Sequence, residues 1–206
     1  MSLMRMKRNQ KVLGVLRSLE KMGQRHFVPS IGPVKGKILT RIIDNYKPTQ
    51  ILEIGTLYGY SAILMANSLN EEDNNSKPEP FVTTIEIDKE NAIIAKKNVQ
   101  DADLSQNIEV INGNALEVIP TLEKQFDLLF LDATKVEYLA YLKVAEGFLH
   151  SGAVVVADNV GVSQNEMLDY LEYVRNSGSY DSKTIQTRLE FTENVKDAME
   201  VSIKIE

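Results

Sequence analysis

The chain contains no cysteine, and that absence removes disulfide frameworks, thiolate metal centres and cysteine nucleophiles together. Histidine is nearly absent too: His26 and His150 are the only two, and both read as ordinary surface residues. No stretch approaches the roughly 18 consecutive apolar residues of a membrane span. The N-terminus lacks the apolar core of a signal peptide, so the expectation is a cytoplasmic protein that makes no membrane contact. Internal repeats are lacking, and nothing marks a second domain. What remains is 206 residues, 43% apolar and 25% charged, the composition of an ordinary globular protein. Residues 1–206 therefore read as one domain, long enough to bury a substantial core.

The net charge of −6 is unevenly spread. Residues 1–25 carry seven Lys or Arg against Glu20 alone, so this segment is +6 and the rest of the chain −12. Val12, Val15, Leu16, Leu19 and Met22 recur there at helical spacing, which predicts a basic amphipathic helix over 1–25 followed by a catalytic-sized core over 26–206. Such a basic arm suits an anionic substrate, RNA or a neighbouring subunit, or is simply a solvated face.

Val34, Ile38, Ile42 and Tyr46 repeat the helical pattern until Lys47-Pro48 stops it. Short apolar runs then alternate with helical stretches. The runs are Ile51–Ile54, Phe81–Ile87, Ile108–Ile111, Phe126–Leu131 and Ala153–Ala157. Five such alternations predict an α/β fold with a parallel sheet covered on both faces. The ending differs: Ile185, Thr187, Leu189 and Phe191 alternate, then Met199, Val201, Ile203 and Ile205, with only a short connection between. Two strands without a crossover helix run antiparallel. Asn70–Pro80, polar and rich in chain breakers, reads as an exposed, mobile loop.

Ligands of open parallel sheets bind beyond the carboxyl ends of the strands. The first such loop carries Gly55 and Gly59 in a G-x-x-x-G spacing, where the backbone can turn tightly, or approach a ligand that meets the next helix N-terminus. Glu86 ends the second apolar run, where a carboxylate can accept both hydroxyls of a ribose. That role serves nicotinamide and sulfonium nucleosides alike. Asp88 reads as the cap of the next helix. Gly113-Asn114-Ala115-Leu116 leaves room for an adenine ring, or is an ordinary start of a helix.

The fourth run ends at Asp132 and the fifth at Asp158-Asn159. If both leave the same sheet edge, two carboxylates and an amide oxygen meet in one crevice. That hard, all-oxygen set suits Mg²⁺, Mn²⁺ or Ca²⁺ and not copper or zinc. The competing reading makes Asp158-Asn159 a turn and Asp132 a helix cap.

From about Phe27 onward these residues resemble the metal-dependent O-methyltransferases that include the catechol and caffeoyl-CoA types. Glu53, Gly55, Gly59, Tyr60 and Ser61 match the family's first cofactor motif and Glu86 its ribose-binding acid. Ser30-Ile31-Gly32-Pro33-Val34-Lys35-Gly36 resembles its cofactor-covering segment. The resemblance implies a Rossmann-like seven-stranded sheet with an antiparallel C-terminal hairpin. It implies S-adenosylmethionine held by Ile31, Glu53, Gly55, Gly59, Tyr60, Ser61, Glu86, Ala115 and Asp132. It further implies a metal on Asp132, Asp158 and Asn159, Lys135 as the group that takes the acceptor's proton, and Glu190 as a contact to the acceptor hydroxyls. A homodimer is the family's usual assembly. Two features depart from the pattern. Thr134 stands where the catechol type carries an aromatic, and Val160-Gly-Val-Ser163 lacks both that branch's proline and the aromatic of the caffeoyl-CoA branch. Phe27 keeps one apolar wall.

The expected activity is methyl transfer to a hydroxyl of a vicinal-diol or phenolic small molecule. A modified nucleoside in RNA, gripped through the basic N-terminal helix, is the alternative acceptor. A nicotinamide-dependent oxidoreductase is a more distant reading, disfavoured by the glycine spacing.

Overall fold

The computed structural model describes residues 3–26, 28–70, 81–192 and 194–205. Phe27 and nearly all of the polar 70–80 loop lie outside them. Seven strands form one sheet in the order β3-β2-β1-β4-β5-β7-β6. They are β1 (Ile51–Ile54), β2 (Val82–Glu86), β3 (Ile108–Asn112), β4 (Phe126–Leu131), β5 (Leu149–Ala157), β6 (Tyr180–Arg188) and β7 (Lys196–Lys204). The first five are parallel, and β7 runs antiparallel between β5 and β6. The expected Rossmann-like α/β architecture with its antiparallel hairpin is the one observed.

Side chains alternate along each strand, and here both faces are covered. Ile51, Val82, Leu128, Phe130, Val154 and Val156 face one apolar cluster. It is closed by α1 (Leu3–Arg25), α2 (Gly32–Tyr46), α3 (Tyr60–Asn70) and α4 (Lys89–Asp101). Leu52, Ile54, Ile85, Leu129, Leu131 and Val155 face the other, under α5 (Ala115–Val118), α6 (Tyr138–Ala145) and α7 (Leu168–Asn176). Burial on both faces explains why these strands read as continuous apolar runs.

The basic N-terminal helix is not a free arm. Val12, Leu16 and Leu19 of α1 are buried in the first cluster, whereas Met22 stays 36% exposed. α2 ends where Lys47 turns left-handed (φ 50) and donates its N–H to Ile43 O; Pro48 then bars continuation. The Asp88 carboxylate caps α4 by accepting Asn91 N–H at 2.8 Å, as expected.

One strand expectation shifts. β6 begins five residues before Ile185 and stops at Arg188, so Leu189 and Phe191 fall in the hairpin turn. Phe191 has φ 57, incompatible with a strand. A Cβ added to Gly23 of α1 would fall 2.6 Å from the Phe191 ring. The aromatic that seemed to extend the alternation therefore packs against a helix and not on the sheet.

Candidate active site

Strand register builds the site. Ile85, Ile54, Leu131 and Ala157 lie side by side across β2, β1, β4 and β5. The next residues along these strands, Glu86, Gly55, Asp132 and Asp158, therefore emerge in a row at the carboxyl edge. The sheet order reverses between β1 and β4, the switch point at which open α/β sheets bind ligands. A cavity of about 470 Å³ opens there. Gly55, Glu86, Ala115, Asp132, Lys135, Asp158, Asn159 and Glu190 all contribute to its wall. Ile31, Tyr60 and Ser61 line an adjoining small cleft of about 30 Å³, which shares Gly55 and Asp132 with the large cavity.

At the β2 end of the row Glu86 is buried, and both oxygens are oriented by backbone N–H groups, from Leu57 at 2.7 Å and Asp88 at 2.9 Å. The carboxylate is thus fixed at the mouth of the crevice. Asn114 caps α5 by accepting Leu116 N–H at 3.0 Å and sets Ala115 in the wall. Gly55 has φ 98, and a Cβ there would overlap the Asp132 carbonyl oxygen. Glycine is required on both counts, because the β1 and β4 loops cross without room for a side chain.

Glu53 and Gly59 line neither cavity. Glu53 is fully buried behind the loop, where it accepts the Thr84 hydroxyl at 2.5 Å. Burial pushes its carboxyl up to about 8, against the lowering pull of the Ser61 and Thr84 hydroxyls. Gly59 supplies a left-handed turn (φ 85). The Tyr60 hydroxyl donates to Glu20 of α1 at 2.7 Å, which ties the N-terminal helix to the loop after β1.

At the β4 and β5 end of the row Lys135 Nζ donates to Asp132 Oδ1 at 2.9 Å and to Tyr138 Oη at 2.8 Å. The buried Tyr138 hydroxyl donates onward to Leu131 O at 3.0 Å. Asn159 adopts a left-handed backbone (φ 61), a conformation asparagine tolerates better than most residues. Glu190 lines the cavity, but its Oε1 also caps α2, accepting N–H groups from Val34 and, at 2.9 Å, from Lys35. Burial raises the Glu190 carboxyl, partly offset by those backbone donors.

Two residues unassigned from sequence stand at the centre. Lys35, 1% exposed, donates from Nζ to Asp158 Oδ2 at 2.9 Å and lies 2.5 Å from Asp197 Oδ2. Burial works against its charge, but Asp158 and Asp197 outweigh that and hold its pKa above the ordinary lysine value. Asp197 sits below the ordinary carboxylate range despite its burial, held by Lys35 and backbone N–H groups. Asp158 is raised, by burial first and then by Asp132. The ammonium is thus shared, within ion-pair distance of both Asp158 oxygens and of Asp197 Oδ2. Both residues had left a sequence trace. Lys35 interrupts the buried helical series Ile31, Leu39, Ile42, and Asp197 occupies the same strand parity as Met199 and Val201. A charge at a core-facing position is the informative exception.

The donor set fits a hard divalent cation. Asp158 Oδ1 is buried and accepts no hydrogen bond, although Lys35 Nζ lies 2.8 Å away. Asp132 Oδ2 is engaged by none of the described residues, and Asn159 turns its Nδ2 away toward Asp197. Among the described residues no three Asp, Glu, His or Cys groups form a metal cluster by themselves; the set is two carboxylates completed by an amide. Among the described residues the cations set against Asp132, Asp158, Glu190 and Asp197 are Lys35, Lys135 and, acting on Glu190, Arg188, so carboxylates outnumber them.

A reversed parallel sheet with a hairpin finish, a buried carboxylate ending β2 and a glycine crossing at the switch point are the features of a nucleotide-cofactor enzyme of the methyltransferase class. Comparison narrows this. The sequence model of the O-methyltransferase family matches residues 8–170. Catechol O-methyltransferase B of Danio rerio is 34% identical over 189 residues, 87% of this chain and 67% of that protein. The catechol O-methyltransferase of Sus scrofa is 32% identical over 84% of this chain and 91% of its own. An O-methyltransferase from Bacillus cereus, solved with SAH, superposes with a TM-score of 0.78 at 26% identity, covering 95% of this chain and 90% of that one. The chain belongs to the O-methyltransferase family, in its catechol and caffeoyl-CoA branch, and is an S-adenosylmethionine-dependent O-methyltransferase.

Proposed function

We propose that this enzyme methylates one hydroxyl of a small vicinal diol or phenol, with a divalent cation held by Asp132, Asp158 and Asn159. The observation that carries the reading is that Asp132, Asp158 and Asn159 meet beside Lys135 in the wall of one cavity, an all-oxygen donor set with the Asn159 nitrogen turned away to Asp197. The names of the zebrafish and pig relatives support an aromatic diol as acceptor. The bound cation supplies Lewis-acid stabilisation of an acceptor oxygen; the cofactor supplies a methyl group on a good leaving group.

The protein's own part is positioning and proton transfer. Once Lys135 has released its own proton to solvent, its two remaining hydrogens stay on Asp132 Oδ1 and Tyr138 Oη, which leaves its lone pair for the acceptor hydroxyl's proton. The resulting ammonium then holds the oxyanion through the newly acquired hydrogen. Glu190 Oε1 is occupied by α2, so Oε2 accepts from the second hydroxyl. Glu86 holds the ribose, and the fixed row of strand ends aligns the two reactants. Assayed with a catechol and labelled S-adenosylmethionine, chelator should abolish transfer and added Mg²⁺ should restore it. Full turnover in excess chelator would overturn the metal's role.

A further inference from the structure

Asn159 has two chemically different ends, and only its oxygen can hold a cation. Nothing in its own backbone decides which end faces the cavity. The neighbour that decides is Asp197 on β7. Its Oδ2 accepts Asn159 Nδ2–H at 3.0 Å, and its Oδ1 accepts the N–H groups of Gly161 at 3.2 Å and Val162 at 3.0 Å. An ionised carboxylate only accepts, so Asn159 must show it the amide nitrogen, which leaves Oδ1 toward the cavity. Lys35, 2.5 Å from the same Oδ2, keeps that carboxylate ionised and fixed. Asp197 is 1% exposed and Asn159 half-buried, so the carboxylate meets the amide from the protein side of the cavity wall.

From this geometry we infer that Asp197 is a positioning residue that sets the amide polarity of Asn159 and thereby makes it an oxygen donor. The inference rests on the metal reading above. Asp197→Asn is nearly isosteric but replaces one acceptor oxygen by a donor. The two backbone N–H groups cannot turn away and hold the new side-chain oxygen, and Lys35 withdraws to Asp158, so the new NH₂ meets Asn159, which rotates to offer its own oxygen and turns Nδ2 to the cavity. In an Asn159→Asp background the rotation has no consequence, because either carboxylate oxygen serves.

The test is Mn²⁺ binding to the cofactor-free enzyme, read by electron paramagnetic resonance, with circular dichroism and thermal unfolding as folding controls. D197N should weaken Mn²⁺ binding about tenfold to a hundredfold in the natural background. The same change in the Asn159→Asp background should leave the affinity nearly unchanged or improved, because either carboxylate oxygen serves and the facing Asp197 charge is gone. An equal loss in both backgrounds, or no loss in the first, overturns the inference while leaving the metal reading intact. Wild-type protein that takes up no Mn²⁺ overturns the metal reading and the inference with it. Should D197N fail to fold, labelled wild-type protein answers the same question by NMR. The Asn159 side-chain NH₂ should exchange slowly and stay protected when Mg²⁺ shifts the Asn159 carbonyl carbon. Loss of that protection on adding Mg²⁺ overturns the inference.

Discussion

Glu53→Gln isolates the energetic cost of a carboxyl buried behind the cofactor loop. Glu53 is fully buried, and its pKa is raised from 4.5 to about 8. The unfolded chain loses this proton near its ordinary value, whereas the folded chain keeps it. Between those two values the native state binds more protons, so stability falls as pH rises. Each pH unit inside the window costs up to about 1.4 kcal/mol. From about pH 5.5 to about pH 7.5 the wild type therefore loses up to about 2.7 kcal/mol through this group alone. Glutamine has no proton to lose, so the variant escapes that slope. For a chain of 206 residues the gap corresponds to roughly 5 to 10 °C in melting temperature. The assay is thermal unfolding of both proteins, free of metal and cofactor, across that pH range. The variant should gain on the wild type as pH rises. Parallel melting curves at all pH values would refute a raised carboxyl at position 53.

Three further outcomes follow from the site. Gly55→Ala combines a positive φ with overlap on the Asp132 carbonyl, so it should cost about 2 kcal/mol or more by denaturant unfolding and weaken cofactor binding. Lys135→Ala should cut turnover about a hundredfold or more with cofactor affinity by calorimetry nearly intact; loss of cofactor binding instead would make Lys135 a structural residue. Glu86→Gln keeps the shape but sets an NH₂ against the N–H of Leu57 or Asp88, and calorimetry should find S-adenosylmethionine bound about tenfold more weakly.

The order of helices and strands was written in local pattern. Apolar runs doubly buried in a parallel sheet are conspicuous, and Lys47-Pro48 and Asp88 mark helix ends by backbone chemistry that needs no distant partner. Residues at the ends of strands, Glu86, Asp132 and Asp158, were legible for the same reason, since topology brings strand ends to one edge. Where a side chain answers to a partner remote in sequence, local pattern fails. Phe191 mimicked a strand position because its alternation said nothing of Gly23, and Glu53 matched a cofactor motif although Thr84 and the loop bury it away from the cavity. Lys35 and Asp197, 162 positions apart in the chain, are joined only when α2 and β7 close over the β5 edge. The sequence alone determined which residues reach the carboxyl edge. Only tertiary packing decided which of their atoms are free to act there, because hydrogen-bond partners are assigned by three-dimensional neighbours and not by spacing along the chain.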